Sequence, residues 1–241
     1  MNDVTVIIPT TGSPEVFCAI DSVLKQTRPT NCYVVIDGRD NLYNHDLLRK
    51  IWEKNLDYDS NFKMCTLPEN VGANGFYGHR IYAAFTNLVN TKYVMYLDQD
   101  NWFDEDHVEK CVNIIESTKS DWAYALRKIV DKNGDFICND NCESLGKWKP
   151  VVDYNHVDTN CYCIKTDVAT KISSAFFGGW GQDRVFYNTL STYFPNYVST
   201  GDYTCNYRLS GNSGSVTGEF FKRGNEVANR KYNGKFPWLI K

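Results

Sequence analysis

No apolar run in the 241 residues is long enough to cross a bilayer, so no membrane span is expected. Positive charge is not in excess either. Acidic residues outnumber basic ones by 29 to 26, and no broad positive field invites nucleic acid or anionic lipid. The opening MNDVTVIIPT reads as a strand rather than a secretory leader. Glycine is scarce where a nucleotide fold might need it: PTTGSPE, after the first predicted strand, has one glycine, no lysine and an acid. A dinucleotide-type or Walker-type phosphate loop is therefore not expected there. The nine cysteines are odd in number and scattered, and Cys138 and Cys142 lack the partners of a zinc site. They read as reduced, structural thiols of a cytoplasmic protein.

What is present is the composition of an ordinary globular chain, 42% apolar and 23% charged. Strands and helices alternate through the first half. Residues 4–8 form an apolar run stopped by Pro9 and Thr10, and Ser13 reads as a helix N-cap with Pro14 at the first helical position. Further strands are expected at 32–36, 63–67 and 93–97, and helices at 45–54, 76–90 and 104–119. This order implies a parallel, doubly wound sheet. The second half loses the alternation. Residues 122–130 and 136–138 flank a hairpin turn, DKNG, while 157–164 reads as a strand and 166–173 as a short helix.

Ligands of open α/β sheets bind beyond the carboxyl ends of the strands. Here those ends carry Thr10, Asp37, Glu69-Asn70 and the pair Asp98 and Asp100. A turn or a cap explains each one alone, but parallel topology gathers all of them on one rim. Asp98 and Asp100, in YVMYLDQDNW, are the most demanding. Two like charges ending a buried strand repel each other and lose solvation unless a cation balances them. A hard divalent ion suits the pair, with phosphate oxygens and water completing its shell. The bland reading is a turn leading into the next helix.

In order, VTVIIPTTGSP, VVIDGRDN, the NVG of 70–72 followed by the GHR of 78–80, and YVMYLDQDNW resemble the successive signatures of family 2 glycosyltransferases. The resemblance covers about half the chain. It implies an α/β protein of the GT-A (nucleotide-diphospho-sugar transferase) fold, a mostly parallel twisted sheet with helices on both faces. It also implies a nucleotide-sugar donor, most commonly UDP-linked, a divalent ion (Mn²⁺ or Mg²⁺), and inversion at the anomeric carbon. Carried onto this chain, Pro9, Thr10, Asp37, Gly72, Arg80, Asp98 and Gln99 would contact the donor, Asp37 through the base or ribose. Asp100 would be the main metal ligand, with Asp98 beside it. Arg80 stands out of the family's register, since Phe76-Tyr77 occupy the place of its usual alanine-arginine pair. A solvated helix charge is its other reading.

Later, FFGGWGQDRVF at 176–186 resembles the glycine-tryptophan-glycine-x-acid element that holds the acceptor and catalytic base in such enzymes. It implies that Asp183 is the base and that Gly179 and Trp180 meet the acceptor; a helix N-cap and a core plug are the plainer roles. His156 and Asp158, with Asn160, share one face of the predicted strand and are assigned to the acceptor side. No histidine follows Asp183, so the late histidine metal ligand of some GT-A enzymes is missing, and water or His156 takes that position. The basic and aromatic tail reads either as a flap closing over the diphosphate or as a segment packed on the sheet or against a second subunit.

The expectation is thus a single domain, 1–241: a donor and metal half at 1–103, an acceptor half at 104–210 and a tail at 211–241. Its acceptor would be a glycan or glycoconjugate. Two other classes stay open. A sugar nucleotidyltransferase would need a glycine-rich and basic loop after the first strand, and a carbohydrate-binding protein would have no use for Asp37, Asp98 and Asp100.

Overall fold

The run VTVIIPT forms strand β1 (Val4–Thr10), and every one of its residues is buried. A strand hidden at successive positions has cover on both faces, as the centre of a parallel sheet requires. The structure, a computed structural model, describes residues 2–39, 50, 53, 61–211 and 216–239. Parallel neighbours flank β1 on both sides: β2 (Thr30–Ile36) and β4 (Tyr93–Tyr96), with β3 (Phe62–Thr66) beyond β2. All three expected strands are present within two residues of their predicted limits.

The second half extends this sheet with antiparallel pairs. It supplies β5 (Trp102–Phe103), β6 (Trp122–Val130), β7 (Phe136–Asn139), β8 (Tyr162–Lys165) and β9 (Tyr197–Arg208). The strand order is β3-β2-β1-β4-β8-β6-β9-β5, with β7 paired to β6. β8 runs antiparallel to both β4 and β6, whereas β9 is parallel to β6. The DKNG hairpin is as expected, its turn closed by Asp131 Oδ1 accepting from the amides of Asn133 and Asp135.

Helix α1 (Val16–Leu24) buries Val16, Ala19, Ile20 and Val23 against β1 and β2. It starts later than Ser13, whose hydroxyl turns to the carboxylate of Glu15 instead of capping the helix. The helix expected over 76–90 is shortened to α2 (His79–Phe85) and a 3₁₀ turn. Its start is blocked because Asn74, Gly75 and Tyr77 all adopt left-handed backbone angles. Helices α3 (His107–Thr118), α4 (Thr166–Ile172) and α5 (Gln182–Tyr193) follow. The helix predicted at 45–54 lies outside the described residues, save for Lys50 and Glu53.

One expectation is corrected. The strand read over 157–164 is confined to β8, because Asp158 caps a 3₁₀ turn, Thr159–Cys161, by accepting from the Asn160 amide. Alternating polar residues there reflect three separate hydrogen-bonding duties, not one face of a strand. The tail forms helix α6 (Gly218–Tyr232), capped by Thr217, with Phe221 and Ala228 fully buried and Trp238 nearly so. Gly224 lies so close to Cys142 that a Cβ would fall 2.6 Å from its sulfur. This is the packed form of the two readings of the tail. All nine cysteines are free thiols.

Candidate functional site

The carboxyl ends of β1, β2 and β4 converge, as the parallel topology demands. Thr10 Oγ1 donates to Gln99 Oε1 at 2.7 Å, and the Thr11 amide donates to the same oxygen at 3.0 Å. Asp37 donates its amide to the Thr10 carbonyl. Its carboxylate accepts from the amides of Val71 (2.7 Å) and Gly72 (2.8 Å). Gly72 has no room for a side chain, since a Cβ would lie 2.6 Å from Asp37 Oδ2 and against the Tyr77 carbonyl. Pro9 packs beneath Gly78 in the same way, 3.0 Å from where its Cβ would be. Gln99 and Asp37, read from the sequence as donor contacts, therefore already serve as ties that fix the rim.

Asp98 and Asp100 differ sharply in their surroundings. Asp98 Oδ1 accepts from the Tyr82 hydroxyl at 2.7 Å and Oδ2 from Asn160 Nδ2 at 2.9 Å. Burial, with the charge of Asp158 next, pushes its carboxyl above the usual range despite those donors. Asp100 receives no side-chain hydrogen bond among the described residues. Burial and the neighbouring charge of Asp98 raise its pKa to about 6. Arg208, at the end of β9, donates Nε to the Asp100 main-chain carbonyl at 2.9 Å, and its charge partly offsets that rise. A half-buried carboxylate without a side-chain donor among the described residues, beside a second one held in place, suits a divalent cation. Among the described residues no group of three His, Cys, Asp or Glu side chains gathers there, so water and ligand oxygens would fill most of its shell. His156 does not take that position, since it is engaged elsewhere.

The segment 156–160 links this corner to a second one. Asn160 bonds Asp98 and also donates to Asp158 Oδ1 at 2.6 Å. Asp158 is nearly buried, and its other oxygen accepts from Arg127 at 2.7 Å. Arg127, 1% exposed, is held as well by Asp140 and Glu143. Asp158 thus anchors the buried network and is not free to meet an acceptor, which corrects its sequence assignment. A buried guanidinium matched by three carboxylates fixes geometry more surely than it adds stability.

His156, 4% exposed, places Nε2 2.6 Å from Asp183 Oδ2. Burial raises the Asp183 pKa, but the hydrogen bond and charge of His156 outweigh it and bring it down to about 2. Burial works against the charge on His156, yet Asp183 carries its pKa above the ordinary imidazole value. The two therefore form an ion pair, a pairing that the separate sequence assignments of base and acceptor contact did not contain. Asp183 lies in the first turn of α5, whose N-cap is Gly181 in a left-handed conformation, and its Oδ1 accepts from the Arg184 amide.

Trp180 is 78% exposed, so it plugs no core gap. Gly179 faces the 72–78 loop closely, with the Gly75 carbonyl 3.0 Å from where a Cβ would lie. The carbonyl of Gly178 accepts from His79 Nδ1 at 3.2 Å. Arg80 stacks on Phe76, 3.3 Å from the ring centroid, and donates weakly to the Val71 carbonyl at 3.3 Å. It therefore braces the loop that Asp37 holds and is more than a solvated helix charge. The sequence reading missed Tyr82, Arg208 and Arg184. Tyr82 lay on a recognised helix, but β9, which carries Arg208, was not anticipated.

The family model described as Glycosyl transferase family 2 matches residues 5–159. No curated protein matches the chain in sequence. Among solved structures, Staphylococcus aureus TarS 1-349 in complex with UDP superposes with a TM-score of 0.65 at 17% identity, covering 96% of this chain and 65% of that one. The same fragment with UDP-GlcNAc gives 0.64 at 16% identity, covering 96% and 66%. The mannosyltransferase PcManGT from Pyrobaculum calidifontis, in complex with GDP-Man and Mn²⁺, gives 0.61 at 12% identity, covering 98% and 68%. The chain spans just under two thirds of the TarS fragment, and at these identities what is shared is the GT-A fold. With a family model matched over more than half its length, the chain belongs to the family 2 glycosyltransferases.

Proposed function

We propose that this protein transfers a sugar from a nucleotide-diphosphate sugar to a hydroxyl of a glycan or glycoconjugate, inverting the anomeric carbon. In this reading residues 1–241 act as one unit. One observation carries it: the segment 156–160 bonds at one end to Asp183 and at the other to Asp98. That segment holds a base and a cation-binding corner in one fixed relation, as a displacement between two substrates requires.

Asp100, with Asp98 beside it, would hold Mn²⁺ or Mg²⁺. The bound ion would neutralise the charge of the departing diphosphate. Thr10 and Gln99 stiffen the rim on which the donor lies, and Asp37 and Arg80 hold the loop beside it. Asp183 stays ionised, with Oδ2 committed to His156, while Oδ1, which also accepts from the Arg184 amide, takes the acceptor's proton. As the acceptor oxygen bonds to the anomeric carbon, the carbon–oxygen bond to the phosphate breaks, and the diphosphate leaves with the electron pair. The acceptor's proton passes to Asp183. A carboxylate with a pKa near 2 is a weak base, so this transfer comes late, once the new bond has made the hydroxyl acidic.

TarS binds UDP and UDP-GlcNAc, and PcManGT binds GDP-Man with Mn²⁺, so UDP- and GDP-linked hexoses are the donors to try first. Nine free thiols suit the reducing cytoplasm. A thermal-shift panel of nucleotide-sugars with Mn²⁺ should single out the donor, because a ligand of the native state raises the melting temperature. With that donor, Asp183→Asn should lower transfer by about 10²–10⁴-fold and leave UDP binding intact. Near-normal turnover would remove Asp183 from the base role.

A further inference from the structure

Arg184 follows Asp183 in the first turn of α5, yet its guanidinium makes no hydrogen bond or ion pair with the described residues. Its Nε is buried and unpartnered. The guanidinium lies 3.7 Å from the ring centroid of Tyr154 and 5.0 Å from that of Trp180. The Tyr154 plate is fixed from below. Its hydroxyl donates to Glu143 Oε1 at 3.0 Å, and Arg127 donates to the other oxygen of Glu143 at 2.8 Å. The Trp180 plate is open to solvent.

No described acid forms a salt bridge with Arg184, though its charge helps lower the Asp183 pKa. Asp183 is paired with His156, Glu143 with Arg127, and Asp158 with Arg127 and Asn160. Two more buried polar atoms in the segment carrying Tyr154 also lack partners, Asn155 Oδ1 and His156 Nδ1. Buried polar groups are nearly always satisfied, so the unpartnered Nε of this stacked arginine calls for an occupant. A planar guanidinium stacked on rings keeps its edge donors free, in the fork that matches a phosphate or carboxylate.

We propose that Arg184, backed by Tyr154 and Trp180, is an anion-recognising subsite for the acceptor, and that the acceptor is a sugar bearing a phosphate or carboxylate. Trp180 takes the apolar face of the ring, and Arg184 takes the charge. The word acceptor rests on the transferase reading above; the subsite itself does not.

The test is binding, followed through the indole N–H signal of Trp180 in isotope-labelled protein, assigned with Trp180→Phe. The probes are glucose 6-phosphate, glucuronic acid, glucose and inorganic phosphate. At least one anionic sugar should bind about tenfold or more tighter than glucose. The stronger of the two identifies phosphate or carboxylate as the natural group. Arg184→Gln should erase the preference, while UDP with Mn²⁺ still raises that variant's melting temperature, showing it folded. Equal affinity for glucose and both anionic sugars, or an unchanged preference in Arg184→Gln, would overturn the subsite. Inorganic phosphate binding as tightly as glucose 6-phosphate would overturn the role of Trp180. An anion preference in a protein that binds no nucleotide would leave the subsite standing and remove the donor reading instead.

Discussion

Asn160 grips Asp98 from two directions, donating Nδ2 to Oδ2 at 2.9 Å and accepting the Asp98 amide on Oδ1 at 2.5 Å. The amide side chain thereby fixes both the main chain and the carboxylate at the end of β4. Groups that orient metal ligands typically govern about 10–100-fold in metal affinity. Asn160→Ala should weaken Mn²⁺-dependent UDP binding by that order while the fold persists. Calorimetry across Mn²⁺ concentrations checks it, and an unchanged metal requirement would count against the positioning role.

Asp100 behaves as a carboxylate awaiting a counter-charge. Its folded pKa of about 6 stands above the ordinary 3.8, so the fold favours the protonated form. Without metal, stability should fall as pH rises from about 4 to about 6 and stay reduced above that. Asp100→Asn should therefore stabilise the metal-free protein at neutral pH, by about 1–3 kcal/mol, and abolish the stabilisation that Mn²⁺ brings. Melting curves in chelator and in Mn²⁺ separate the two effects. A variant less stable than the wild type in chelator would contradict the charge account.

The His156–Asp183 pair is limited at both low and high pH. Asp183's lowered pKa supplies stability that is present above its unfolded value of 3.8 and lost as pH falls toward about 2. His156's raised pKa supplies stability that is complete below 6.5 and lost as pH rises through its folded value. Their joint contribution is therefore greatest between these limits. His156→Gln should shift the acidic limb of the transfer rate to higher pH, since the charge of His156 then no longer offsets burial at Asp183. An unmoved limb in a pH–rate profile would detach the histidine from Asp183.

Phe221 is a core residue of α6, fully buried and 5.6 Å from the Arg127 guanidinium. Phe221→Ala should cost about 3–5 kcal/mol in denaturant unfolding, as loss of a packed phenylalanine does. Protease cleavage within 218–232 should be equally slow with and without UDP and Mn²⁺. Ligand-dependent protection there would revive the flap reading.

The sequence made the donor half easiest to read, because its signals are local. Apolar runs ending in Thr10, Asp37 and Asp98 name both the strands and the rim, since parallel strands bring their carboxyl ends together. The second half depended on long-range contacts. His156, Asp158 and Asn160 alternate like a strand, but they serve Asp183, Arg127 and Asp98 respectively, partners that no spacing rule connects. β9 escaped notice because YVSTGDYTCNYR is largely polar and is bent by Gly201 in a left-handed conformation. Arg208 therefore arrives beside Asp100 from a strand that periodicity did not announce.

The central claim is that a divalent ion at Asp98 and Asp100 anchors the donor's diphosphate. Its most direct test is calorimetric titration of UDP in Mn²⁺, in excess chelator, and with Asp100→Asn in Mn²⁺. The account predicts binding in the first case and a loss of at least about tenfold in the other two. Equal affinity under all three conditions would contradict it.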